Sequence, residues 1–153
     1  MAKGNSIVLS AAPRGVHSEG TVNGAAVQPG MLLQLDVSAG LDSDGRPHYE
    51  LYAGGTGLRS PLIVADIGFR GGIASTVYAD NDRIRVYYPL PGDELNVLVK
   101  TGQVLTFGAL LISETATGLV LLTTGTPETE PFISLEAQTT SGSELVHVLC
   151  TGV

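Results

Sequence analysis

Residues 91–111 read PGDELNVLVKTGQVLTFGALL, and this stretch carries the clearest structural pattern in the chain. A Pro-Gly pair opens it, an aliphatic run follows, and Thr101-Gly102 offers a tight reversal. A second turn at Phe107-Gly108 precedes another aliphatic run. Short apolar runs separated by such turns are typical of consecutive β-hairpins, which build a small β-roll or barrel.

The same pattern of short apolar runs and turns extends over the whole chain. The 20 glycines and 8 prolines are spread along it and are not pooled in a linker. A short helical turn is considered only at 69–78, where Gly71-Gly72 would cost about 2 kcal/mol relative to alanine. Runs rich in β-branched and aliphatic residues predict strands at 6–10, 31–37, 48–53, 61–66, 83–89, 95–100, 109–113, 119–123, 132–138 and 145–150.

Two of these runs alternate as half-buried strands do. Ile84 and Val86 share one face of the predicted strand at 83–89, and the two arginines lie on the other. The strand at 145–150 alternates likewise, with its two valines opposite His147. The alternation indicates sheets with one buried face.

The composition bounds the architecture. A chain of 153 residues with 43% hydrophobic residues is long enough to bury a core and most simply forms one domain. Only 15% of the residues are charged, which favours a surface partly buried against other subunits. We therefore expect an all-β fold, a compact antiparallel β-barrel, β-roll or sandwich with little helix. Residues 1–15 are predicted to form an extended N-terminal arm and residues 16–153 a single β domain.

The charge and the cysteine content exclude several classes of partner and compartment. A net charge of −7 argues against nucleic-acid binding and against an anionic membrane surface. No run approaches the roughly 18 apolar residues needed to span a bilayer, and the first residues lack the apolar core of a signal peptide. The single Cys150 cannot form an internal disulfide, which fits a reducing compartment.

Two polar motifs suggest a metal site, and both have a simpler interpretation. Asp42-Ser43-Asp44-Gly45 resembles the start of a calcium loop, but the acid needed near the end of such a loop is missing, so an Asp-rich hairpin turn is favoured. His48 and Glu50 would share a strand face, yet two ligands are too few for zinc. We expect no metal and no other cofactor.

The sequence offers no catalytic constellation. A Gly-x-Ser-x-Gly elbow is missing, and Cys150 has no evident activating partner. Lys100 lies beside a turn, as in lipoyl and biotinyl carrier domains, but without their flanking methionines. The glycine-rich residues 54–60 precede a predicted strand and not a helix, which favours a plain loop over a phosphate site. The chain is therefore predicted not to be an enzyme.

Several stretches together resemble the small head decoration, or cement, proteins of tailed bacteriophages, and the resemblance extends from about residue 12 to the C-terminus. The central signature is YYPLPGDELN at 87–96, and the hairpin at 102–111 follows it. The other stretches are PRG (13–15), EGTVNG (19–24), PG (29–30), GLV (118–120) and TGTPETEPF (124–132).

This resemblance implies a binding protein without a substrate, made in the host cytoplasm and attached to the outer surface of an icosahedral capsid. Such proteins staple neighbouring subunits of the major capsid protein. They also associate with copies of themselves, as trimers more often than as dimers. Partners are then the major capsid protein and the chain itself, with no nucleic acid and no membrane. The expected capsid or subunit contacts are Arg14, Glu19, Glu128 and Glu130.

Two alternatives stay open at this point. Glu128 and Glu130 belong either to a solvated loop or to an acidic contact loop that meets a basic partner. A carbohydrate- or receptor-binding β-module on a virion or cell surface is the rival function. It would need exposed aromatic rings, and the chain has no tryptophan and 5% aromatic residues. The candidates for that role are Tyr49, Tyr52, Tyr87 and Tyr88.

Overall fold

Strands and turns account for the described part of the chain in the computed structural model, which covers residues 7–10, 16–24, 26–53, 63–66, 75–114, 116–123 and 131–151. Within these ranges there is no helix, and hence none that could cross a membrane. The predicted all-β class is confirmed. The helical turn considered at 69–78 falls mostly outside the described residues.

The strands are β1 (Val8–Ser10), β2 (Val16–Val22), β3 (Leu32–Leu35), β4 (His48–Leu51), β5 (Ile63–Ala65), β6 (Arg83–Tyr88), β7 (Glu94–Val99), β8 (Val104–Leu105), β9 (Leu110–Ser113), β10 (Val120–Leu122), β11 (Phe132–Ser134), β12 (Gln138–Thr139) and β13 (Glu144–Cys150).

Five strands close into a first barrel in the order β2-β4-β3-β5-β6. Their pairings are antiparallel except for the parallel pair β2–β4. Ile84 and Val86 point into this barrel while Arg83 is exposed, so the alternation predicted for this strand is confirmed. The buried side chains of the barrel are Val22, Val27, Leu33, Tyr49, Ala65, Tyr78, Ile84 and Val86.

A second ring of strands runs β7-β10-β9-β11-β13 and closes because β13 pairs back onto β7. Here β7 and β10 form the parallel pair. Val146 and Val148 are fully buried, as predicted, and His147 faces outward, where its Nε2 lies 2.9 Å from Glu94 Oε2. The core of this second barrel also takes in side chains from the first barrel, so one apolar cluster joins the two: Leu32, Tyr52, Val64 and Tyr87.

The strand β2 was missed by the sequence analysis. Its sequence, VHSEGTV, places polar residues and a glycine where a strand pattern needs apolar ones, and burial begins only at Gly20. That glycine is required because a Cβ there would lie 2.2 Å from the ring of Tyr49. The strand is therefore defined by its long-range partners β4 and β6 and not by its own periodicity.

The described part of the predicted N-terminal arm is not extended away from the fold. Ile7 is fully buried in the second barrel, and β1 pairs with β7. Residues that were assigned to an arm thus contribute the Ile7 side chain to the core and pair with the edge of β7. Residues 1–6 and 11–15 of the predicted arm lie outside the described residues.

The outer edge of β7 is covered by three separate segments of the chain. The opposite edge of β7 carries β13 along its whole length. Because the strand is buried, each N–H on its outer edge needs a protein acceptor. Three of them donate to carbonyl oxygens at 2.7–2.8 Å: Asn96 to Ile7, Leu98 to Gly30 and Lys100 to Val120.

The tight hairpin predicted at Thr101-Gly102 is therefore wrong. The chain does turn there, but both edges of β7 are already occupied and β8 cannot fold back onto it. Instead β8 pairs with β12, so that Leu105 lies opposite Gln138. The turn chemistry was interpreted correctly, whereas the strand pairing was not.

Gly30 is a residue at which the two barrels share backbone hydrogen bonds. Its N–H donates to the Ala65 carbonyl of the first barrel at 2.8 Å, and its carbonyl accepts from Leu98 of the second. Its φ is +87°, a conformation that side chains disfavour. A Cβ at this position would lie 2.6 Å from Leu145 Cδ2 and 3.0 Å from the Leu98 nitrogen.

We predict that Gly30→Ala lowers the free energy of unfolding by about 2–5 kcal/mol, because a left-handed conformation costs about 1–2 kcal/mol and overpacking about 1–3 kcal/mol. Gly45→Ala is the matched control, since Gly45 also has a positive φ (+77°) but a Cβ there would meet open space. It should cost about 1–2 kcal/mol. Urea unfolding followed by circular dichroism measures both, and equal losses would contradict the role given to Gly30.

Candidate interaction site

The connection between β3 and β4, residues 36–47, is here called the hairpin loop, and it is held at its start by Asp36. This side chain is only 6% exposed. Its carboxylate accepts hydrogen bonds from Asn23 Nδ2, from the Ser38 N–H and hydroxyl at 2.8 and 2.6 Å, and from the Ala39 N–H at 3.1 Å. These donors, the Ser38 hydroxyl first and the Asn23 amide second, lower the pKa of Asp36 to about 2.

Asp42 holds the far side of the hairpin loop. Its Oδ1 accepts from the backbone N–H groups of Asp44 and Arg46, both at 2.8 Å, and its Oδ2 accepts from the Thr21 hydroxyl at 2.7 Å. The Arg46 N–H, followed by the Thr21 hydroxyl, lowers the pKa of Asp42 to about 2. The motif that resembles a calcium loop is thus an Asp-rich hairpin turn, as the sequence analysis favoured.

Two arginines connect the tip of the hairpin loop to the start of β6. Asp44 Oδ2 accepts from Arg46 at 2.7 Å and from Arg83 at 3.0 Å. Arg83 and then Arg46 lower the pKa of Asp44.

An open polar cleft of about 420 Å³ lies beside these arginines, with His48 in its wall. Among the described residues, no three histidine, cysteine or acidic side chains are placed to share a metal ion.

Residues 79–82, here called the acidic turn, lie next to the hairpin loop. Asp80 accepts from the Gly24 N–H and Asp82 from the Ala79 N–H, both at 2.8 Å. The hairpin loop, the acidic turn and Arg83 together hold five aspartates against two arginines. This end of the first barrel therefore carries an excess of three negative charges.

All Lys and Arg side chains in the described ranges are ion-paired with carboxylates, namely Arg46, Arg83, Arg85 and Lys100.

Apolar side chains are exposed on this same end of the barrel. Val37 is 85% exposed and Leu41 66% exposed, both within the hairpin loop, and Leu35 at the end of β3 is 42% exposed. The loop therefore turns its carboxylates toward its own backbone and toward arginines, and turns its apolar side chains toward water. That arrangement suits contact with another macromolecule.

A second apolar surface, here called the neutral patch, lies on β8, the turn after it and β10. It consists of Val104, Phe107 and Leu122, which are 64%, 73% and 38% exposed. The Leu122 N–H donates to Gln103 Oε1 at 3.0 Å, which brings β10 beside the start of β8. The segments 103–109 and 121–123 contain no charged residue. The two apolar surfaces thus differ in their surrounding charge.

Of the four contact residues expected from sequence, only Glu19 falls within the described residues. It is exposed on β2, where it lies opposite Arg85 of β6 and outside the hairpin loop. Arg14, Glu128 and Glu130 lie outside the described residues. Val37 and Leu41 were not among the contact residues predicted from the sequence. Their signal was two apolar residues inside the turn-forming run VSAGLDSDG at 37–45.

The tyrosines considered for sugar stacking are not available for that role. Tyr49 and Tyr87 are fully buried and Tyr52 is 4% exposed. Tyr88 is half-buried, and its hydroxyl lies 2.7 Å from that of Tyr49. Burial, followed by the hydrogen bond to Tyr49, raises the pKa of Tyr88. The Tyr87 hydroxyl donates to Asp93 Oδ2 at 2.6 Å, inside the junction between β6 and β7. These rings are structural.

We predict that acid destabilises the fold between about pH 4 and pH 2. The pKa of both Asp36 and Asp42 is about 2 in the folded protein and is ordinarily 3.8. A pKa lowered by folding stabilises the protein fully above the ordinary value, and that stabilisation is lost as the pH falls toward the folded value. Urea unfolding at pH 5, 4, 3 and 2 should show the free energy of unfolding falling across this window.

Two variants test whether Asp36 contributes to this loss. Asp36→Asn should be less stable at pH 5 and should lose less stability between pH 4 and pH 2. Ser38→Ala removes the largest cause of the lowered pKa of Asp36, so its loss of stability in acid should be smaller and should be complete at a higher pH. A drop in Asp36→Asn as large as that of the wild type would refute the assignment.

Comparison with known proteins gives a match in fold. No family model and no curated protein matches the chain. Among solved structures, the chain is similar to the N base of the head fiber gp8.5 in bacteriophage phi29, with a TM-score of 0.54. The two share 18% sequence identity, and the match covers 89% of this chain and 93% of that one. At this identity the likeness bears on the fold, and it is in accord with the compact β-fold that the resemblance to phage decoration proteins implied.

Proposed function

We propose that this chain is a structural protein of a bacteriophage virion. In this proposal it binds the outer surface of the icosahedral head after synthesis in the host cytoplasm and joins neighbouring subunits of the major capsid protein. The observation that carries the proposal is the likeness of fold to a phage head fiber base over nearly the whole of both chains. The sequence motifs that resemble those of head decoration proteins support it independently.

The physical character of the chain suits this role. Within the described residues, Arg46 and Arg83 are ion-paired with Asp44 of the hairpin loop, and exposed apolar side chains form the tip of that loop and the neutral patch. Many copies on a symmetric lattice bind with avidity even when each contact is weak. A protein that binds the assembled shell better than free subunits stabilises that shell by mass action.

We predict saturable binding of the purified chain to expanded capsids that lack it. Bound capsids should release their genome at a higher temperature than bare ones, because ligand binding favours the assembled state. Cosedimentation gives the occupancy, and dye access to the DNA during heating gives the release temperature. The same capsids mixed with the heat-denatured chain are the control. Absence of saturable binding by the native chain would refute the proposed function.

The proposal includes association of the chain with itself, as a trimer in preference to a dimer. The neutral patch supports this part, because the segments that carry Val104, Phe107 and Leu122 would bring no like charges together. A 73% exposed phenylalanine is costly to leave in water and is a suitable anchor for an interface.

We predict that Phe107→Asp shifts the chain toward the monomer, because the substitution places a charge at the centre of the neutral patch. Native mass spectrometry across a concentration series measures the distribution. Val16→Asp is the matched control, since Val16 is also exposed (55%) but lies on β2 of the first barrel. An unchanged oligomer in Phe107→Asp would exclude the neutral patch as the interface.

A further inference from the structure

We propose that the hairpin loop is the element that docks onto the capsid, with Val37 and Leu41 entering an apolar depression that is rimmed by lysine or arginine side chains. This inference rests on the proposed function, since it names the surface and the partner chemistry through which the chain would bind the head. It concerns residues 36–47 and the acidic turn beside them.

The first support is the exposure of apolar side chains on a loop whose carboxylates are hydrogen-bonded. Val37 and Leu41 are 85% and 66% exposed, although the same loop buries the carboxylate of Asp36. Leaving aliphatic side chains in water forgoes hydrophobic stabilisation. Burial of these two apolar side chains against a partner would therefore stabilise the complex.

The second support is the fixed shape of the loop before any partner binds. Asp36 accepts hydrogen bonds from Ser38 and Ala39 on one side of Leu41, and Asp42 accepts them from Asp44 and Arg46 on the other. The Thr21 hydroxyl and the Asn23 amide attach both carboxylates to the barrel wall. Because folding already orders the loop, binding a partner costs little further conformational entropy.

The third support is charge, which selects the occupant. Five aspartates against two arginines surround the apolar tip, and the arginines are already paired with Asp44. A second copy presented by the same end would bring like charges together, which is unfavourable. A basic protein surface meets both the apolar tip and the acidic rim. The described segments that carry the neutral patch, 103–109 and 121–123, hold no charged residue and are better suited to a second copy.

The test compares paired variants in the capsid binding assay. Val37→Ser together with Leu41→Ser removes the apolar tip and should weaken binding to expanded capsids at least about tenfold. The matched control is Val16→Ser, an exposed valine at the opposite end of β2, which should bind as the wild type does. Thermal melting of each variant checks folding, and the high exposure of both loop residues makes these substitutions compatible with the fold.

A second pair of substitutions tests the acidic rim. Asp80→Asn together with Asp82→Asn keeps the acceptor oxygens that bond Gly24 and Ala79 and removes two charges. Association with capsids at low salt should slow several-fold, and its dependence on ionic strength should weaken. An increase in rate would point to an acidic partner and would overturn the inference.

The outcomes separate this inference from the proposed function. If the wild type binds capsids and the hairpin variant binds equally well, the docking inference fails while the proposed function stands. Equal weakening by Val16→Ser also overturns it, because the effect would not be specific to the hairpin loop. If the wild type does not bind capsids, the proposed function fails and this inference fails with it.

Discussion

The buried outer edge of β7 is the constraint on which the rest of the arrangement depends. Its N–H groups cannot be satisfied by water, and the chain meets that need with β1, Gly30 and β10 in succession. These acceptors come from the N-terminal strand, from the first barrel and from the second barrel. A single strand edge therefore fixes the position of three distant parts of the chain and joins two barrels that share an apolar core.

The loops at the end of the first barrel show the opposite distribution of polar and apolar groups. In the two barrel cores, the packed side chains are almost all apolar. In the hairpin loop, the carboxylates of Asp36 and Asp42 are turned onto backbone N–H groups, while Val37 and Leu41 face water. A rigid double barrel supplies the support, and the loop supplies a shaped surface. This arrangement suits the binding role that is proposed for the chain.

Local sequence patterns predicted the positions of strands and turns better than they predicted which strands pair with each other. Period-two alternation located the buried faces of β6 and β13, because burial on one face leaves a direct trace in sequence. The strand β2 left no such trace, since Gly20 is dictated by the ring of Tyr49 on the neighbouring strand β4. The reversal at Thr101-Gly102 was visible, but the occupied edges of β7 were not. In the candidate site, the Asp-rich turn was visible, whereas Val37 and Leu41 resemble core residues in any sequence.

The pairing of β1 with β7 has a consequence for the order in which the protein can be completed. β1 must wait for a strand about 85 residues further along the chain, and β2 for one about 70 residues further. At about 5–20 residues per second, β1 spends roughly 4–17 seconds without its partner during synthesis. The β1–β7 pair thus has the greatest sequence separation among the described strand pairs, and each nascent chain carries the unpaired edge of β1 until β7 has emerged.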